Sequence, residues 1–118
     1  MGERTWDQVG RIREWLDEMA PDVGGADVRL LRVLKIAEEY GEVAEALHGA
    51  LGTNPRKGHS HTWTDVEKEL VDTIVTAMVA LDTIAPDARG TFEARLDALV
   101  DRVLPGDQVP QRTGQPGN

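Results

Sequence analysis

Lys35-Ile36-Ala37-Glu38-Glu39-Tyr40-Gly41-Glu42 places three carboxylates in an otherwise apolar, helix-patterned run. A second run, Glu69-Leu70-Val71-Asp72, does the same with two more. Apolar side chains recur around both at helical spacing. A carboxylate is costly to bury unless it is paired or binds a cation. Five of them in such surroundings point to a hard divalent cation held by oxygen ligands, Mg²⁺ first.

Outward from these runs, the chain reads as an all-α bundle of about four helices, with no convincing strand. The first helix is expected from Trp6 to Met19, ending before Pro21 and Gly24-Gly25. The second follows Asp27, a good N-cap residue, and extends to Leu51, where Gly52 and Pro55 stop it. The third is expected to open with Thr64-Asp65-Val66-Glu67 as a capping box and to reach Ala85, ahead of Pro86. The fourth is expected from Thr91 to Leu104. Residues 1–105 then form one domain, and Gly106 to Asn118, rich in Pro, Gly and Gln, form a mobile tail.

At about 100° per residue, Glu38, Glu42 and Glu45 share a stripe roughly 60° wide on the second helix, with Glu39 just beyond Glu42. Most of the remaining surface is apolar, which predicts a central helix. On the third helix Asp65, Glu69, Asp72, Thr76 and Thr83 form one polar stripe. Two mostly buried helices, each with an acidic stripe, are best satisfied when the stripes face one another and chelate cations between them.

The bulk composition narrows the function classes. A chain of 118 residues suits one domain with one core. Its net charge of −8 argues against binding to nucleic-acid backbone, and a polyanionic substrate needs a metal or a local basic patch. With no cysteine there is no disulfide, zinc-thiolate site or thiol nucleophile. No stretch is apolar enough to span a membrane, and Met1 to Trp6 lacks a signal-peptide core, so the cytoplasm is the expected location.

Glu38-Glu39-Tyr40-Gly41-Glu42 matches Glu-Glu-x-x-Glu, and Glu69-Leu70-Val71-Asp72 matches Glu-x-x-Asp, separated by residues 43–68. Together they resemble the signature of the MazG-like all-α nucleoside triphosphate pyrophosphohydrolases, relatives of dimeric dUTPases and phosphoribosyl-ATP pyrophosphohydrolases. The resemblance covers residues 28–85. It implies Mg²⁺-dependent cleavage between the α- and β-phosphates of a nucleotide, with Mn²⁺ as an alternative ion. It also implies that Glu39, Glu42, Glu69 and Asp72 are metal ligands, and that Glu38 is a further ligand or handles the attacking water.

Other residues carry secondary readings. Arg56 and Lys57, in Asn54-Pro55-Arg56-Lys57-Gly58, either contact phosphate or belong to a solvated turn. Lys35 either contacts phosphate, as the family pattern implies, or pairs with Glu39 one turn on. His59 and His61 read as surface residues, and Trp63 as a hydrophobic staple beside a Thr64 cap. Glu45-Ala46-Leu47-His48 is a single Glu-x-x-His, short of the two that a di-iron bundle needs. The apolar surface of the two long helices exceeds what one small bundle covers, which predicts an oligomer, a homodimer first, and the family resemblance implies a homotetramer as the alternative. The competing functions are a phosphoribosyl-ATP pyrophosphohydrolase and a non-catalytic nucleotide- or metal-binding regulator on the same fold.

Overall fold

The computed structural model describes residues 2–19 and 27–104. The expected loop from Pro21 to Gly25 and the expected tail from Gly106 lie outside the described residues. Those residues hold four helices and no strand: α1 (Glu3–Met19), α2 (Val28–Leu51), α3 (Trp63–Ile84) and α4 (Ala88–Val103). The fold is all-α. By internal packing the chain divides into Met1–Pro86, which contains α1 to α3, and Asp87–Asn118, which contains α4.

Local chemistry sets the helix ends. The Asp27 side chain accepts a hydrogen bond from the Arg29 backbone N–H at 2.9 Å, starting α2. Gly52 closes that helix in the left-handed region, at φ 67°, where a side chain is strained. The α3 cap differs from the expected one. Thr62, not Thr64, is the N-cap: its hydroxyl accepts from Asp65 N–H at 3.2 Å, while the Asp65 carboxylate accepts from Thr62 N–H at 2.9 Å. The same Thr-x-x-acid spacing occurs two residues apart, and Asp reaches back across the turn at the earlier one. Trp63 is therefore the first helical residue, largely exposed, and no staple. In the second unit α4 begins at Ala88, earlier than Thr91, because Asp87 caps it by accepting from Gly90 N–H at 3.1 Å.

Within the first unit α3 is central: both α2 and α1 pack on it, α2 the more extensively. Met78, Val79 and Ala80 are buried in succession on α3, a run that requires neighbours on more than one side. Val66 at the start of α3, Val43 and Ala46 of α2 and Trp6 and Val9 of α1 complete the buried apolar set of this unit. The expectation that the second helix is buried nearly all round is corrected. Only one face of α2 packs, and Leu30, Val33, Leu34, Tyr40 and Leu51 on its other side are exposed.

Charge locks the three helices at one end. Arg13 Nε lies 2.6 Å from Asp82 Oδ2 on α3, and Arg13 Nη1 lies 2.7 Å from Asp17. Asp17 in turn meets Arg32 of α2 at 2.7 Å, and Arg32 donates to the Thr83 hydroxyl at 3.0 Å. No helix in the described residues is long and apolar enough to cross a membrane.

Candidate metal centre

Glu39 on α2 and Glu69 and Asp72 on α3 each offer a carboxylate oxygen within 4.8 Å of the other two. Opposed ligands on a cation with bonds of about 2.1–2.4 Å stand about 4.2–4.8 Å apart, so the three groups are close enough to share one ion. Among the described residues they form the single cluster of metal-ligating side chains. The α2–α3 pairing produces it, because Glu39 stands on one of the two packed helices and Glu69 and Asp72 on the other. The side chains are 12%, 20% and 45% exposed for Glu39, Glu69 and Asp72, which grades the site from buried to open.

Glu69 Oε1 is buried and has no hydrogen-bond partner. A buried carboxylate oxygen in that condition is destabilising unless something positive meets it. Glu42 is exposed on the next turn of α2. Its carboxyl is held above the ordinary range, first by the Glu39 charge, then by partial desolvation and Glu69. The donor set is therefore all oxygen, crowded and anionic, and it fits Mg²⁺, Mn²⁺ or Ca²⁺ rather than a soft metal.

Two lysines flank the acids. Lys35 lies 3.4 Å from Glu38 and 3.7 Å from Glu39, and its pKa is raised, first by the hydrogen bond to Glu38 and then by the charges of both acids. Lys68 lies 3.7 Å from Glu69 and 3.5 Å from Asp72, and is raised likewise, Glu69 the most. Lys68 was not among the sequence candidates. Its signal was the i,i+4 spacing to Asp72, a pattern common on any solvated helix. Glu38 is exposed and turned to Lys35, outside the three-carboxylate cluster.

The loop between the helices is a separate polar feature. The Asn54 side chain accepts from the backbone N–H groups of Arg56 and Lys57, at 3.0 and 3.3 Å, leaving both basic side chains exposed. No described contact joins either to Glu39, Glu69 or Asp72. Lys57 instead borders a polar cavity of about 470 Å³ with Glu45, His48 and Ser60. His59 Nδ1 lies 3.1 Å from the Ala50 carbonyl, and His61 Nδ1 lies 3.0 Å from the Ser60 hydroxyl. The loop approaches α2 so closely at Gly49 that any Cβ there would collide with the His61 ring.

A second, mainly apolar cavity of about 330 Å³ lies among α1, α2 and α3, lined by Leu16, Val28, Leu31, Val75 and Val79. Lys35 is also on its wall, so the cavity adjoins the carboxylates through that residue. Its residues are individually unremarkable in sequence, and only packing makes a cavity of them. No protein-family model, curated protein or solved structure matches the chain. The case for a function therefore stands on the two acidic motifs and on this geometry.

Proposed function

We propose that the protein is a Mg²⁺-dependent nucleotide pyrophosphohydrolase, cleaving a nucleoside triphosphate to the monophosphate and pyrophosphate. The observation that carries this reading is the meeting of Glu39 with Glu69 and Asp72, drawn from the two halves of the acidic pattern on different helices. A bound Mg²⁺, or Mn²⁺ in its place, supplies charge neutralisation and orientation to the phosphates. Glu39, Glu69 and Asp72 would hold it, with Glu42 from the next turn as a further ligand, and the unpartnered oxygen of Glu69 supports a cation there. Glu38, exposed and paired with Lys35 in the free protein, is the carboxylate proposed to take a proton from water. Lys35 and Lys68, paired with the acids in the free protein, are counter-charges for an incoming polyphosphate, and Arg56 and Lys57 add to them from the loop. The apolar cavity beside Lys35 is of a size to take part of a nucleoside. Such an enzyme suits house-cleaning of unwanted nucleotides in the cytoplasm.

The test is a nucleotide panel, phosphoribosyl-ATP included, assayed with Mg²⁺ for pyrophosphate and monophosphate in equal amounts. Release of single phosphates, or no turnover with any member, counts against the reaction. Tight nucleotide binding without turnover moves the chain to the regulatory class.

A further inference from the structure

The face of α2 turned away from α3 plays no part in the metal centre, yet apolar residues run its whole length. From Leu30 through Tyr40 to Leu51 they recur at alternating intervals of three and four. That is the repeat by which one helix seats along another. Leu30 is 57% exposed and Tyr40 66%, on a helix of 24 residues, about 36 Å long. Soluble chains seldom leave a continuous apolar stripe of that length bare.

Two observations identify what covers it. The first is symmetry. In a two-fold contact between copies, if one residue meets a second, the second meets the first. About a centre between Tyr40 and Gly41, the stripe reads the same in both directions. Leu30 corresponds to Leu51, Leu34 to Leu47, Ala37 to Ala44, and Tyr40 to Gly41. Large residues meet large, small meet small, and the bulkiest side chain falls opposite the residue that has none. Val33 opposite His48 is the polar exception.

The second observation is Gly41 itself. Glycine within a helix destabilises it relative to alanine. A Cβ at Gly41 meets nothing within 4 Å, and its backbone is not left-handed. Neither the packing of this chain nor its backbone calls for glycine there, whereas a side chain arriving from outside does.

We infer that two copies of this chain pair antiparallel along α2, with Tyr40 of each seated over Gly41 of the other. The receiving hole is formed by Ala37, Glu38, Ala44 and Glu45 around Gly41. The entering phenol lies between two carboxylates that can accept its hydrogen bond. The stripe itself carries no acid although the chain's net charge is −8, and the Glu38 and Glu45 carboxylates stand at its flank. This pairing does not depend on the nucleotide reading.

The absence of cysteine makes the register directly testable. Full-length Ala37→Cys and Ala44→Cys proteins, mixed and mildly oxidised, should give mainly the mixed disulfide, since position 37 of one copy faces position 44 of the other. Preference for like-with-like disulfides, as parallel helices give, overturns the proposal. Sedimentation equilibrium should find the wild-type chain dimeric. Gly41→Leu should weaken the dimer by at least about tenfold, the order of effect when bulk is forced into a packed contact. The same change should leave the helical circular dichroism equal or stronger, because leucine favours helix over glycine. A monomer across the accessible concentration range assigns the stripe to another occupant and overturns the inference. So does a dimer indifferent to Gly41→Leu, which would rest on another surface, such as the exposed Leu70 and Ile74 of α3. If Gly41→Leu loses helical signal, the disulfide ratio of the two alanine variants decides alone.

Discussion

The carboxylate of Glu39 holds the carboxyl of Glu42, three residues further along α2, above the ordinary glutamate value of 4.5. Desolvation and the charge of Glu69 act in the same direction. The folded, metal-free protein therefore favours neutral Glu42 more than the unfolded chain does. The stability from that preference is complete below about pH 4.5 and is lost as pH rises through the raised folded value.

Glu42→Gln should therefore raise the melting temperature of the metal-free protein at neutral pH. The gain should shrink as pH falls below the ordinary glutamate range. Differential scanning calorimetry in chelator across that range reads it. A variant that melts lower than wild type at neutral pH would contradict the electrostatic account.

Divalent binding should oppose the proton at the same site. Mg²⁺ affinity should increase as pH rises through the titration of Glu42, with protons released on binding. Saturating ion at about 100 times its Kd should add about 2.7 kcal/mol to stability. Glu69→Gln and Asp72→Asn should each lower affinity by at least about 100-fold, because even groups behind the ligands cost 10–100-fold. Isothermal titration with each variant, and pyrophosphate release alongside, separates loss of the ion from loss of chemistry.

The loop basics have a distinct signature. Arg56→Ala with Lys57→Ala should raise KM for a triphosphate strongly while leaving Mg²⁺ affinity without nucleotide unchanged, since the acids sit on α2 and α3. Added salt should weaken substrate binding in the wild type more than in the double variant. Unchanged KM and salt dependence would leave the Asn54 turn as a solvated connection.

The clamp from Arg13 to Asp82 should matter for stability and little for chemistry. Arg13→Ala removes the 2.6 Å contact and the bridge to Asp17, and leaves Asp82 without its partner on α1. The expected cost is about 1–3 kcal/mol by urea unfolding, the range for hydrogen bonds to charged groups. Intact stability in the variant would show the network to be solvent-screened.

The spacing of Glu39 to Glu42 and of Glu69 to Asp72 singled out the three acids that the structure brings together, and Glu42, which lies outside that cluster. Helical period, together with Asp27, Gly52 and Pro86, was enough to bracket the two helices that carry them. Such features are local: a cap, a proline or a 3.6-residue period acts within a few residues, whatever the rest of the chain does. Even there, Thr62 competed with Thr64 for the same cap, and the choice depended on which acid could reach back.

The tertiary structure decided everything that requires two helices at once. It brought Glu39 to Glu69 and Asp72. It made α3 rather than α2 the central helix, and it joined Arg13, Asp17, Arg32 and Asp82 across three elements. The reason is that a helical wheel reports which residues share a face but not which face finds a partner. On α2 both faces are apolar enough to pack, and the acid edge between them is defined only when one of them does. Which side of α2 meets α3 is a property of the whole packing, and it is what turns two acidic motifs into one site.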